Sequence, residues 1–312
     1  MTTSPSPDPS SDPSPARTPT PSSGGPGPVT PPPVPPAPVV DAGWVRAHLG
    51  RIVLADVRWY LDGRDGRAAH EAGHLPGAVW VDVDTVLSAP PSATGGRHPL
   101  PDEAEFARSL GALGIGDDTT VVAYDDSGGA YAARLVWLLR RTGGRAALLD
   151  GGVQAWDGDL ETGPVVPAPV TRTPVTWPKE FLRSADEVAA SLATGTAVVL
   201  DARAADRYSG AAVLPSDVRS GHVPGARSAP WAANLTDDGR FAPAPRLAER
   251  YAALGALPDA DVVVYCGSGV TACHDLLALE LAGLPTASLY PGSWSAWSAD
   301  TSRAVATGEE PG

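Results

Sequence analysis

Val262-Val263-Val264-Tyr265-Cys266-Gly267-Ser268-Gly269-Val270-Thr271 is the stretch that decides the fold. Its first four residues are β-branched or aromatic and read as a buried strand. The strand runs directly into a cysteine. A glycine-spaced turn follows, then Ala272 to Ala282 with helical spacing, closed by Gly283. The segment predicts a strand, a tight loop and a helix N-terminus, with a thiol at the tip. Backbone N–H groups of such a loop converge on one point, and the aligned peptide dipoles of the helix add partial positive charge there. Negative charge is favoured at that point, so Cys266 is placed to react as a thiolate.

The rest of the composition supports chemistry over a disulfide framework. The chain has 312 residues and two cysteines. Cys273 lies seven residues after Cys266, about 10 Å along a helix, which is beyond disulfide reach. It reads as a small buried helix residue. The first forty residues hold fifteen of the 34 prolines and one basic residue, Arg17, and so read as a disordered tail, 1–39. That tail lacks the charged and apolar regions of a signal peptide, and no later run is long and apolar enough to span a bilayer. A cytoplasmic protein is expected. No membrane partner is expected, and the net charge of −13 argues against nucleic acid as a partner. With Lys179 the single lysine, anion binding must rest on arginines and backbone amides.

The chain repeats itself. Val121-Val122-Ala123-Tyr124-Asp125 matches Val262 to Cys266 at an offset of 141 residues. The same offset pairs Leu113-Gly114 with Leu254-Gly255, and Ala155-Trp156 with Ala296-Trp297. His74-Leu75-Pro76-Gly77-Ala78 recurs as His222-Val223-Pro224-Gly225-Ala226, and Asp56-Val57-Arg58 as Asp201-Ala202-Arg203. Five matches in one order predict two α/β domains of one fold, 40–162 and 179–309, joined by a Pro- and Thr-rich linker at 163–178. In the first, Asp41 caps a helix through Leu49, and strands are expected at 52–56, 78–83, 121–124 and 146–149, with a helix over 130–141. In the second, Ser184 to Glu187 reads as a capping box, with strands at 197–201, 262–265 and 287–290. Alternating strands and helices favour a parallel sheet flanked by helices on both faces, with ligands at the carboxyl ends of its strands. The domains differ at one telling place: Asp125 stands where the second has Cys266, so only the second can carry thiolate chemistry.

These residues resemble the tandem rhodanese-like sulfurtransferases: the paired His-x-Pro-Gly-Ala motifs, the strand-ending Cys266 and Gly292-Ser293-Trp294, over about residues 40 to 308. The resemblance implies that Cys266 takes a sulfane sulfur from an anionic donor, 3-mercaptopyruvate or thiosulfate, and passes it from a persulfide to cyanide or a thiol. It implies no cofactor and no metal, small-molecule partners, a monomer, and a site between the domains. Gly267-Ser268 after the cysteine is similar to mercaptopyruvate enzymes, where thiosulfate enzymes tend to carry Arg and Lys. By the same resemblance Ser268, His98 and Asp84 assist proton transfer, and Arg207 binds the donor. Gly267, Gly269, Val270 and Thr271 form the loop around it. The family's second arginine lies in a Pro-Glu-Pro-Arg context. Here the segment is Val213-Leu214-Pro215-Ser216-Asp217-Val218-Arg219, and Arg219 is the candidate replacement. The second domain has Ala232 and Phe241 where the first has Asp84 and His98, so the fold itself does not require those polar residues. Arg203, with its partner Arg58, reads as structural.

Two other readings are weaker. His70-Glu71-Ala72-Gly73-His74 matches H-E-x-x-H, but Gly73 and Pro76 oppose the continuous helix that a zinc site needs. His74 and His222 read instead as loop residues bonding backbone groups, and His274 as a plain helix residue. Cysteine phosphatases need an arginine six residues after the cysteine, where this chain has Ala272. A non-catalytic persulfide sensor or sulfur carrier remains the alternative to an enzyme.

Overall fold

The computed structural model describes residues 1–5, 31–284 and 286–312. In the first half the strands are β1 (Val39–Val40), β2 (Val53–Asp56), β3 (Val79–Trp80), β4 (Thr120–Tyr124) and β5 (Arg145–Leu149). They form one sheet in the order β1-β5-β4-β2-β3, every pair parallel. The second half contributes β6 (Ala197–Asp201), β7 (Arg227–Ser228), β8 (Asp261–Tyr265) and β9 (Ser288–Leu289), in the order β7-β6-β8-β9, again all parallel. Mapping β2 to β6, β3 to β7, β4 to β8 and β5 to β9 makes the two orders identical. Even β1 has a counterpart, since Leu182 makes an isolated parallel bridge to Leu289. The sequence repeat is thus a repeat of topology.

The first sheet is flanked by α1 (Ala42–His48), α2 (Gly66–Ala72), α3 (Glu103–Ala112) and α4 (Ala132–Arg141). The second is flanked by α5 (Ala185–Thr194), α6 (Ala205–Ser209), α7 (Ala244–Ala253), α8 (Ala272–Leu281) and α9 (Ser293–Ala299). The caps follow the sequence. Asp41 accepts from the Trp44 amide at 2.7 Å, and Ser184 with Glu187 forms the full capping box. One apolar core runs through both halves, with Trp137 and Leu138 of α4 and Leu276 and Leu277 of α8 in it. Both central helices are buried on nearly every face, so apolar residues dominate their first two turns and the polar side chains there, Arg134 of α4 and His274 and Asp275 of α8, are buried with them.

The repeated motifs build equivalent corners. Asp56 and Asp201 end β2 and β6 fully buried, each ion-paired with the arginine two residues on. Arg58 and Arg203 then each donate to the carbonyl before the histidine of the His-x-Pro-Gly turn, at Gly73 and Gly221. The turn is held from the other side by tyrosines: Tyr124 and Tyr265 hydroxyls accept the Leu75 and Val223 amides, both at 3.1 Å. His74 Nδ1 and His222 Nδ1 sit 2.9 Å from the His70 and Tyr208 carbonyls. These two histidines are bound to backbone, and among the described residues no cluster of three His, Cys, Asp or Glu side chains could hold a metal ion.

Two expectations shift. Residues 6–30 of the expected tail lie outside the described residues. Its last part, however, belongs to the first sheet: Pro33 and Pro38 are buried, the Leu148 amide donates to the Pro38 carbonyl at 2.8 Å, and Thr120 Oγ1 to that of Pro33. Proline carbonyls remain good acceptors although the residue has no N–H, so a Pro-rich edge segment can still dock. The segment 163–178 is not a loose connection either. It runs back along the first half, with the Val170 amide on the Gly111 carbonyl, Thr173 on Asp117 and the Trp177 indole on the Pro101 carbonyl.

Candidate functional site

Cys266 follows β8 at the floor of a cleft of about 680 Å³ lined by both halves. It is 2% exposed. Its Sγ accepts a hydrogen bond from the Gly269 amide at 3.1 Å. Gly269 is a position where glycine is required: its φ is +80°, and a Cβ there would lie 2.6 Å from the Pro291 carbonyl oxygen. The N-terminus of α9 clamps the loop from behind. Ser293 Oγ accepts the Cys266 amide at 3.2 Å and donates to the Tyr290 carbonyl, while the Trp294 and Ser295 amides donate to the Cys266 and Gly267 carbonyls. Ser293 holds φ at 52°, a left-handed conformation that is unfavourable for a non-glycine residue. This accounts for the Gly292-Ser293-Trp294 motif: it shapes the loop without entering the cleft.

Three of the expected polar residues meet beside the thiol. Ser268 Oγ is 2.7 Å from His98 Nδ1, and His98 Nε2 is 3.0 Å from Asp84 Oδ1. Trp59 donates its indole N–H to the other Asp84 oxygen at 2.9 Å. The hydrogen bond from His98 chiefly, with that from Trp59, outweighs partial burial and holds the Asp84 carboxyl below the usual carboxylate range. An ionised Asp84 can only accept, so His98 Nε2 is the donor of that pair, and Nδ1 faces the Ser268 hydroxyl. The chain crosses the interface between the halves, since Asp84 and His98 come from the first and Ser268 from the second. Val270 and Thr271 line the same cleft.

The arginines are partly as expected. Arg207 lines the cleft. Arg219 does not. Its guanidinium donates to four backbone carbonyls, those of Trp297, Ser298, Asp300 and Arg303, at 2.7 to 3.0 Å. It is a brace for the end of α9, and the expectation that it binds the donor is corrected. The arginine that joins Arg207 over the cysteine loop is Arg97, which the sequence reading missed although it directly precedes His98. Arg97 Nη1 and Arg207 Nη2 both bond the Asp217 carboxylate, at 3.0 and 2.8 Å. A Cβ on Gly267 would lie 3.2 Å from Arg97 Nη2 and 3.1 Å from Arg207 Nη2, so the two guanidiniums converge over the residue after the cysteine.

A further arginine ties the site together from below. Arg134 of α4 is fully buried and donates to the carbonyls of Leu87, His98, Pro99 and Gly269. It therefore fixes the backbone of His98 and that of the cysteine loop relative to each other. Cys273 lies on α8 as a free thiol, and burial pushes it up to about 12. The second cysteine is thus the small buried helix residue that the sequence suggests.

Residues 41–159 and 184–300 each match the family model for the Rhodanese-like domain. The chain is 42% identical to a probable 3-mercaptopyruvate sulfurtransferase of Pseudomonas aeruginosa, over 83% of this chain and 93% of that one. It is 40% identical to the putative thiosulfate sulfurtransferase SseB of Mycobacterium tuberculosis, over 82% and 91%. Among solved structures it is similar to the 3-mercaptopyruvate sulfurtransferase from Leishmania major, with a TM-score of 0.72 and 32% identity over 83% of this chain and 73% of that one. Among the described residues no helix is long and apolar enough to cross a membrane.

Proposed function

The chain belongs to the rhodanese-like family of two-domain sulfurtransferases, and from that premise we propose that it moves a sulfane sulfur from 3-mercaptopyruvate, in preference to thiosulfate, through a persulfide on Cys266. The observation that carries the donor reading is the Ser268-His98-Asp84 chain beside the thiol. The Cys266 thiolate attacks the donor sulfur. With mercaptopyruvate the carbon–sulfur bond breaks and its electron pair stays on carbon, giving the enolate of pyruvate, which must then take a proton. The proton that arrived on the donor thiol must leave the new persulfide. Ser268, backed by His98 and ionised Asp84, is placed to carry it from one to the other. Thiosulfate needs no such transfer, because sulfite leaves as a stable anion. A thiol or cyanide then attacks the outer sulfur, and the Cys266 thiolate departs unchanged.

Arg97 and Arg207 supply charge for the donor anion, and the loop amides supply donors for the negative persulfide. Both thiols are free, which suits a reducing cytoplasm, and the cleft is complete within one chain, which suits a monomer. The net charge of −13 supports small-molecule over nucleic-acid partners. Mass spectrometry after incubation with each donor tests the chemistry. We expect a one-sulfur adduct on Cys266 that is discharged by cyanide. No adduct from either donor would overturn the reading, and an adduct that acceptors do not discharge would favour a carrier or sensor.

A further inference from the structure

Asp217 stands out among the groups that the mechanism leaves unused. Its side chain is 3% exposed, and it is the anion that Arg97 and Arg207 already hold. Arg97 comes from the first half and Arg207 from the second, so one carboxylate fixes both across the cleft mouth. Arg97 Nη1 is held further by the Ser216 carbonyl at 3.1 Å. The bonds to Asp217 engage Arg97 Nη1 and Arg207 Nη2. Among the described residues, Arg97 Nη2 and Arg207 Nη1 make no hydrogen bond, and both lie within 3.5 Å of where a Gly267 Cβ would be. The unspent donors therefore face the residue next to the thiol.

We infer that Asp217 selects the donor: by cancelling one of the two guanidinium charges and holding both guanidiniums over Gly267, it leaves the Arg97-Arg207-Asp217 cluster with one net positive charge, which suits a monocarboxylate better than a dianion. The inference rests on the sulfurtransferase reading above and goes beyond it in naming what sets the donor. Its physics is Coulombic. Removing the Asp217 charge strengthens the attraction for any anion, and the gain for a dianion is twice that for a monoanion at the same place. The ratio of the two donors must therefore move toward thiosulfate by the factor that one charge is worth there. Asp217 does not touch the reacting atoms in this account. It is a positioning residue acting through Arg97 and Arg207.

The test compares kcat/KM for thiosulfate and 3-mercaptopyruvate in the full-length protein, Asp217→Asn and Asp217→Glu. For Asp217→Asn we expect the thiosulfate-to-mercaptopyruvate ratio to rise at least about tenfold at low ionic strength, equivalent to about 1.4 kcal/mol, and the rise to shrink with added salt. Asp217→Glu, which keeps the charge, should stay near wild type. A purely structural role for Asp217 would lower both activities together and leave the ratio in place, and that result would overturn the inference. A ratio moving toward mercaptopyruvate would do the same. Should Asp217→Asn fail to fold, inhibition of the wild-type protein decides: sulfate is expected to compete no better than pyruvate, and sulfate competing tenfold better would sink the idea. Loss of the Cys266 adduct in the wild type would instead remove the underlying reading. An adduct that forms normally, with no shift in the ratio, would remove only the role of Asp217.

Discussion

The loops that end β4 and β8 share one backbone plan and differ in what fills it. In the first, Asp125 is fully buried and its carboxylate accepts four amides: Ser127 and Gly129 on one oxygen, Tyr131 and Ala132 on the other, all at 2.8 to 3.0 Å. Burial pushes its carboxyl above the usual range, against the pull of those four bonds. In the second, Cys266 Sγ accepts a single amide, from Gly269. The loop amides of Ser268 and Val270, which match Ser127 and Gly129 by the repeat, make no hydrogen bond among the described residues. A carboxylate carries oxygens two bonds from Cβ. A thiol stops one bond from Cβ, and a persulfide adds the missing atom. The first loop is a closed, self-satisfied version of the second. The second keeps donors open for negative charge that arrives only during turnover, which fits donors being most useful where charge develops.

The largest effect should come from forcing the second loop to imitate the first. Cys266→Asp is expected to abolish sulfur transfer from both donors while the protein stays folded. Its thermal midpoint should lie at or above that of Cys266→Ala, because the carboxylate can take the amides that alanine leaves unmet. A midpoint below that of the alanine variant would break the equivalence of the two loops. A smaller effect should separate the two loop serines. Ser268→Ala is expected to lower mercaptopyruvate turnover about a hundredfold, the usual scale of a lost proton-transfer group, and to change thiosulfate turnover little. Ser127→Ala, at the matching place in the first loop, should change neither. Equal losses with both donors would move Ser268 from proton handling to loop structure.

The contrast between the halves also explains what the sequence made legible. Fold and repeat were readable because a parallel strand buried on both faces must be apolar through its buried run, and Val121 to Tyr124 of β4 and Val262 to Tyr265 of β8 are. The cysteine loop was legible in a local motif, and Ser268, His98 and Asp84, named by resemblance to the family, stand in one hydrogen-bonded chain. Arg97 was missed and Arg219 misplaced for one physical reason: what an arginine does depends on acceptors far away in sequence. The carboxylate that orients Arg97 is 120 residues distant, and the carbonyls that consume Arg219 are 78 to 84 residues on. Helices α3 and α7 were not anticipated. Strand β7 was not anticipated either, and β3 and β9 came out at two residues each, tied to β2 and β8 by two register pairs. At the boundary of the tail, a count of prolines could not reveal that their carbonyls would be accepted as an edge.

The smallest expected effect concerns how the halves hold each other's loops. Arg134 of α4 donates to the Gly269 carbonyl at 2.8 Å, and His274 of α8 bonds the matching Gly128 carbonyl through Nε2 at 3.1 Å. The repeat partner of Arg134 is Asp275, also fully buried, with Asn234 Nδ2 donating to its Oδ1 and no partner on Oδ2. Burial drives these neighbours in opposite directions: His274 falls from 6.5 to about 3, and Asp275 rises from 3.8 to about 7. A lowered histidine binds fewer protons folded than unfolded, so its share of stability grows as pH rises from about 3 to 6.5. A raised carboxyl binds more protons folded, so its share declines as pH rises from 3.8 to about 7. The two slopes oppose each other over their common window. Asp275→Asn removes the declining one, so the stability of the variant relative to wild type should increase with pH across 3.8 to about 7. Urea midpoints for the two proteins through that range measure the difference. A difference that stays level would mean that Asp275 is not held protonated by its burial, and that the interface tolerates a charge where the first half places Arg134.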